Sequence, residues 1–479
     1  MPLIPLNLGT QSNPGIDPHA GVARLINCYA ISAGVEGKQP INIVATPGLA
    51  SWSATSGGEC RALIPLGNVL YAVCGRLVYA VDTEGTSSLI GAIPSTGPVS
   101  WSINRQQPYQ QVLVSCDGLS YIIQNRVLTQ ISNENLGSAF ANFFSDGFSI
   151  ALLSGALGKF QWSAPDDATD WNALDFAVAE KNADGLMGGG PAGNVVTLIG
   201  ERSTQFFQNT GDANNQFVSM NATNVGCIAK RSIRSTTVLK PDLVTDTLIW
   251  AAADKDGSPA GVIMQTDYTA RKISSEAVDR AIAEDPNKAD LSATSYVDRG
   301  HAFYILSGTD WTYAYDTATD KWHERSSSES RWRVSQICQF GGMLIAGDAT
   351  TGELYRMRHD IYDEAGEPLV VTIQTPPVHA YPERVQYDSI WLDMVPGVGL
   401  NGGYADIYPA VMMRYTHDGV TWSSEQWRII GRLGQRQQRI YWRQLGTAPS
   451  HGRTYQFRAS AAVMKTFLGA FWEGRKLRA

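Results

Sequence analysis

Apolar and polar positions along the chain fall into a two-strand unit that keeps returning: an apolar run, a Gly-containing turn, and a second apolar run that stops at an Asp turn. Its first occurrence is Gly67-Asn68-Val69-Leu70-Tyr71-Ala72-Val73-Cys74-Gly75-Arg76-Leu77-Val78-Tyr79-Ala80-Val81-Asp82. Versions follow at 111–123, 148–162, 194–208, 247–264, 301–316 and 341–357. The spacing of roughly 40 to 55 residues fits one four-stranded propeller blade per unit. One such unit cannot bury its own apolar face, whereas blades stacked around an axis cover each other's faces and protect their edges. The pattern therefore predicts a β-propeller over 58–358, of six blades plus a closing element or of seven.

The flanks read differently. Residues 1–57 form an arm dense in Pro and Gly, with Asn13-Pro14-Gly15-Ile16-Asp17-Pro18-His19, Arg24-Leu25-Ile26-Asn27-Cys28-Tyr29 and Thr46-Pro47-Gly48-Leu49. Segments of this kind wrap over a neighbour or supply a strand that closes a ring. A hydrophilic stretch, 359–368, is expected to be an exposed connection to a second strand-rich block at 369–479. Hairpin turns between apolar runs there, such as Ser389-Ile390-Trp391-Leu392-Asp393-Met394 and Ala410-Val411-Met412-Met413-Arg414-Tyr415, predict a β-sandwich. The fold class is thus all-β. The one helix signal of note is 275–283, with Ser275 at the N-cap position.

Composition sharpens this picture. The chain has 479 residues with 17% charged, 46 Gly, 13 Trp and 19 Tyr, which suits short strands, tight turns and aromatic packing. No apolar run approaches the ~20 residues of a membrane-spanning helix, and Met1-Pro2-Leu3-Ile4-Pro5-Leu6 lacks a basic, then long apolar, leader pattern. Synthesis in the cytoplasm without membrane insertion is the expectation. Cys28, Cys60, Cys74, Cys116, Cys227 and Cys338 are scattered without a Cys-x-x-Cys pair and read as reduced core residues.

Charge is uneven. The chain carries −7, yet 421–479 holds eleven basic residues against two acidic ones, so that block sits at +9 and everything before it at −16. Arg428, Arg432, Arg436, Arg439 and Arg443 are the candidate partner-binding residues, a face for nucleic acid or an acidic partner. The competing reading is a sheet whose outward positions are Arg and Gln, since Arg436-Gln437-Gln438-Arg439-Ile440-Tyr441-Trp442-Arg443 roughly alternates polar with apolar. An acidic chain is also a poor candidate for tight, salt-sensitive DNA binding.

Catalytic signals are scarce. There is no Gly-x-Ser-x-Gly elbow, His-Glu-x-x-His, P-loop or dinucleotide fingerprint, and the seven histidines, His19, His301, His323, His359, His379, His417 and His451, never take metal-ligand spacing. No catalytic, cofactor-binding or metal residue is expected. Asp166-Asp167-Ala168-Thr169-Asp170-Trp171 reads as a turn that holds Trp171 against a blade, although paired carboxylates of a glycosidase have this composition. Asp254-Lys255-Asp256-Gly257 resembles half a calcium loop without its downstream Glu, and reads as a turn. Tyr415-Thr416-His417-Asp418-Gly419-Val420-Thr421-Trp422 looks like a sialidase Asp box one residue short, and reads as an Asp-Gly hairpin. A carbohydrate-active propeller enzyme is the rival reading, and a host protein-interaction propeller the next.

Several of these stretches in their order along the chain, Arg24-Leu25-Ile26-Asn27-Cys28-Tyr29, Thr46-Pro47-Gly48-Leu49, the first blade, Trp162-Ser163-Ala164-Pro165 to Asp170-Trp171, and Gly200-Glu201-Arg202-Ser203-Thr204-Gln205-Phe206-Phe207-Gln208-Asn209-Thr210-Gly211, resemble the packaged-DNA stabilization proteins, or tail hub (nozzle) proteins, of P22-like short-tailed bacteriophages. The resemblance implies a homo-hexameric ring in the virion tail, below the portal and its adaptor. That ring would hold double-stranded DNA in the filled head without sequence-specific contacts. It would also dock tailspikes or fibres and the plug or needle, and form the conduit for ejection. The resemblance implies no catalytic residues or cofactors.

Overall fold

The computed structural model describes residues 3–17, 21–34, 39–155, 157–181, 184–212, 215–400, 403 and 407–477. Met1, Pro2, Pro18 and His19 of the sequence reading lie outside them. The chain forms a seven-bladed propeller joined to a β-sandwich.

The recurring two-strand unit is the central hairpin of each blade. In blade 1, Val69–Cys74 and Leu77–Val81 pair in register and are buried almost throughout, while the outer strand Ser87–Ala92 is mostly exposed or half-buried. Blade 2 repeats this with Val112–Cys116 and Leu119–Gln124 inside and Val127–Gln130 outside. The middle strands lie between neighbouring blades and are covered on both faces, so they read as continuous apolar runs. Their turns take left-handed residues, Asp117 (φ 47°) with Gly118 (φ 87°) and Asp146 (φ 51°) with Gly147 (φ 92°), as the two-residue hairpins that match strand twist require. Gly75 is needed for a further reason: at φ 55°, an added Cβ would lie 1.7 Å from the Gly57 carbonyl oxygen.

The first strand of each blade lines the axis: Cys60–Leu66, Ser100–Ile103, Ala139–Ser145, Leu186–Ala192, Arg234–Lys240, Ser292–Asp298 and Val334–Phe340. Blade 7 takes its outer strand from the arm. Gly48–Ala54 pairs antiparallel with Glu353–Arg358, so the ring is closed by a strand from far upstream.

The arm is therefore not a separate region 1–57. Arg24–Ile26 pairs in parallel with Lys321–Glu324 of blade 6 and antiparallel with Val371–Gln374, which merges blade 6 with one sheet of the sandwich. Ile4–Pro5, Cys28–Ser32 and Ile41–Ala45 belong to the other sheet, beside the long strands Thr466–Leu477 and Arg384–Met394. The sandwich expected from 369–479 is completed by the arm, and its core holds Leu25, Cys28 and Ile43 together with Val371, Ile390, Trp442, Phe457 and Phe467. The arm's apolar residues are spread along short, separate strands and gain a core only by joining others.

The connection at 359–368 also departs from expectation. Asp363–Glu364 and Glu367–Pro368 form a small hairpin, Glu364 bridges to Leu49 of the closing strand, and Glu364 is buried. Only Asp360 and the tip Gly366 to Pro368 are exposed. The helix is present as Glu276–Glu284, but Ser275 makes no capping bond; Ser274 Oγ instead donates to Asp279 Oδ1 at 2.5 Å. All six cysteines are free, five of them buried.

Candidate partner-binding surface and the propeller channel

The five candidate arginines fall on one end of the sandwich, and all are exposed. Arg428 lies on Gln426–Ile429, the edge strand of the nine-stranded sheet, and Arg443 on Ile440–Ala448, the edge strand of the other sheet. Arg432, Arg436 and Arg439 occupy the intervening loop, so the alternation read there as strand holds only from Ile440 onward.

Two bonds hold these edges together: Arg428 Nε donates to the Tyr441 carbonyl at 2.9 Å, and Trp442 Nε1 to the Gln426 carbonyl at 3.0 Å. Arg443 sits 4.7 Å over the Tyr441 ring, which stacks on Trp391 at 4.8 Å, and Arg432 sits 4.8 Å over Tyr408. None of the five makes an ion pair within the described residues. Beside them Trp427 is 57% and Leu433 64% exposed. Exposed Arg with Trp and Leu on an uncovered sheet edge has the composition of an interaction surface.

The basic block is not uniformly a surface, however. Arg453 is buried, 3.8 Å over Tyr415 and 4.9 Å over Tyr387, and donates to the Leu445 carbonyl at 2.8 Å. Lys465 is buried too, which pushes its pKa down to about 8. These two are structural cations that a count of charges cannot separate from the exposed ones.

Two of the acidic near-motifs are turns; in the third only Pro165-Asp166 turns, and Asp167 to Trp171 open the outer strand Asp167–Val178 of blade 3, where the expected turn becomes strand. Asp167 Oδ1 accepts from the Thr169 amide and hydroxyl at 3.0 and 2.7 Å, while Trp171 donates to the Ala168 carbonyl and packs with Leu113 and Ile122 of blade 2. Asp254 Oδ1 accepts the amides of Asp256 and Ser258 at 2.9 and 2.8 Å. Asp418 Oδ1 accepts the amides of Val420 and Thr421 at 2.9 and 2.7 Å, and those bonds hold its carboxyl well below the usual range. Such carboxylates are committed to the backbone and poorly placed for acid–base chemistry. Among the described residues no group of three or more His, Cys, Asp or Glu could hold a metal, and no helix is long and apolar enough to cross a membrane.

A cavity of about 490 Å³ opens among the inner strands. Sequence reasoning missed it, because its residues are drawn from all seven blades, far apart along the chain. Arg61, Lys230, Arg231 and Arg234 line one part, and Trp101, Phe140, Phe143 and Met187 another.

Among solved structures, the chain is similar to the computationally designed Ika8 protein, at 11% identity and TM-score 0.39, covering 73% of this chain and 100% of that one. It is also similar to virginiamycin B lyase from Staphylococcus aureus (9% identity, TM-score 0.41, 63% and 95% covered) and to U3-55K (6%, 0.42, 65% and 99%). No curated protein matches the chain. The family model of the bacteriophage P22 Gp10 β-propeller matches residues 22–362 and that of the Gp10 β-sandwich residues 371–473, so the chain belongs to the bacteriophage P22 Gp10 family of phage structural proteins that stabilise packaged DNA.

Proposed function

We propose that this protein is the subunit of a tail hub, or nozzle, ring of a short-tailed phage. About six copies close the filled head below the portal and adaptor, dock tailspikes or fibres and the plug or needle, and form the conduit for ejection. The protein is made in the host cytoplasm and resides in the virion tail. The observation that carries this reading is the match to both Gp10 domains in sequence along one chain.

The charge distribution supports it. Retained DNA must later slide, which disfavours a strong grip on phosphates, and a subunit of −7 gives an acidic assembly. The exposed arginines of the sandwich edge offer a contact for the acidic surface of a neighbour or of another tail protein. A glycoside-cleaving propeller is the less supported alternative, since Asp167 and Asp418, of the two motifs that suggested it, are bound to backbone amides.

Negative-stain imaging of the purified subunit mixed with portal–adaptor complexes tests the proposal. A new ring of density below the adaptor is expected. Complexes left unchanged at saturating subunit would overturn it, as would turnover on bacterial surface polysaccharide.

A further inference from the structure

The mouth of the propeller channel carries more positive charge than its own carboxylates balance. Arg61 is only 6% exposed, and its guanidinium is held by carbonyls, from Nη1 to Gly75 and Ser95 at 2.7 and 2.9 Å and from Nε to Gly97 at 3.0 Å. Arg234 donates from Nε to the Ala293 carbonyl at 2.6 Å and from Nη2 to Gln336 Oε1 at 3.1 Å. Neither pairs with a carboxylate among the described residues, and Arg234 Nη1 has no partner there. Lys230 makes no ion pair either; its ammonium lies 4.4 Å over the Phe140 ring. Arg331 donates to Ser292 Oγ at 3.0 Å, and its Nε is buried without a partner.

Three carboxylates stand near, Glu59, Asp117 and Asp285, the last acting on Arg331. Glu59 pairs with Arg231, and Asp117 accepts from Ser95 and from the Gly97 amide. Four cations thus line the mouth, with Arg331 behind them, against three acids, in a chain that is acidic overall. Burial and the like charge of Arg231 push the Arg234 pKa down to about 10, as expected for a cation that lacks its counter-charge. Buried charges are ordinarily paired or bound to an ion, and a cavity of this size falls within the range of small-ligand pockets.

We propose that the channel mouth is a binding site for a small multivalent oxyanion, a polycarboxylate or phosphate, held by Lys230, Arg231 and Arg234 over the field of Arg61 and Arg331. Arg61 has its donors committed to carbonyls and acts through charge alone. The uncommitted Arg234 Nη1 and the Lys230 ammonium supply the hydrogen bonds. Guanidinium and ammonium accept carboxylate and phosphate alike, and the aromatic part of the lining accommodates a carbon skeleton.

Isothermal titration of the full chain at low salt with citrate, and separately with inorganic phosphate, tests this. One-to-one binding of either is expected, weakening as salt rises; citrate alone assigns a carboxylate ligand and phosphate alone a phosphate. Lys230→Ala and Arg231→Ala should each weaken binding at least tenfold, whereas Lys255→Ala, in the solvent turn of blade 5, should not. Lys230 is exposed, so its variant folds even if Arg234→Met does not. No saturable binding of either anion at 10 mM (a level ~tenfold above a 1 mM dissociation constant), or binding that survives Lys230→Ala with Arg231→Ala, would overturn the proposal.

Discussion

Arg325 and Glu364 are both buried and face each other at 3.9 Å across the seam between propeller and sandwich. Arg325 follows the last strand of blade 6, and Glu364 lies in the hairpin that leads to the sandwich. The carboxylate also accepts from Trp332 Nε1 at 2.9 Å and Ser327 Oγ at 2.7 Å, while the guanidinium stacks 3.9 Å over the Trp332 ring. Burial lowers the Arg325 pKa, so the pair holds its charges at a desolvation cost. Removing one partner from such a pair strands the other. Glu364→Ala should cost about 3 kcal/mol of unfolding free energy, and adding Arg325→Met should recover much of it. Chemical denaturation of the single and double variants checks this; a Glu364→Ala loss below about 1 kcal/mol would show that the seam is hydrated.

His323 should govern part of the acid limb of stability. It is buried against Tyr29 and Phe303, with ring centroids at 5.7 and 5.5 Å, and burial, with the nearby Arg325 charge, pushes its pKa down to about 3. The folded state keeps the ring neutral while the unfolded chain protonates near 6.5, so its contribution is complete above 6.5 and is lost as pH falls towards 3. The slope is up to about 1.4 kcal/mol per pH unit. His301 has the opposite sign: the Asp316 hydrogen bond raises its pKa, so its contribution is present below 6.5 and fades as pH rises through the raised value. His323→Phe should therefore flatten stability between pH 6 and 4 in denaturant titrations, without changing the neutral-pH side.

Legibility in the sequence followed burial geometry. Strands such as Val69–Cys74 are covered on both faces and announce themselves as apolar runs, which is why each of the seven units proved to be the middle of a blade. The seventh blade was harder to count because its outer strand, Gly48–Ala54, lies hundreds of residues from its partner Glu353–Arg358. Asn27 shows the same limit: at φ 56° its side chain bonds the Ser326 and Val370 carbonyls and the Ser326 amide, tying three distant segments. No local pattern encodes that knot. The exposed arginines were visible as charge, but Arg453 among its tyrosines looks no different in sequence, and the channel mouth is scattered over the blades.

Truncation follows from the same interleaving. Deleting 1–57 removes the closing strand of blade 7 and the arm's strands from the sandwich, so a folded propeller should not remain. The truncated chain is expected to aggregate or to lose its cooperative transition in circular dichroism, because open sheet edges and an uncovered core are exposed. A soluble monomer with near-native spectrum and sharp melting would mean that the arm adds little to either core.

Protease susceptibility should be narrow. The connecting segment offers only its hairpin tip, Gly366 to Pro368, to solvent, while Glu364 and Leu369 are buried. Limited proteolysis is expected to cut at that tip before any blade, and more slowly than an extended linker would be cut, since cleavage needs local opening. First cuts inside Val195–Gly200 would contradict this order.

The sandwich edge separates assembly from folding. Arg436, Arg439 and Arg443 are exposed and make no ion pair within the described residues, so charge reversal to Glu at all three should shift subunit stability by no more than about 0.5 kcal/mol per site. The same change replaces attraction by repulsion towards an acidic partner surface, which slows association and inverts its salt dependence. Subunits carrying Arg436→Glu, Arg439→Glu and Arg443→Glu should melt as the unaltered protein does, yet fail to join the tail. Particles assembled with them should fill with DNA and then lose it, read as a fall in nuclease-protected DNA after packaging. Stable, infectious particles would remove this edge as an assembly contact and leave the five arginines as the solvated border of two sheets.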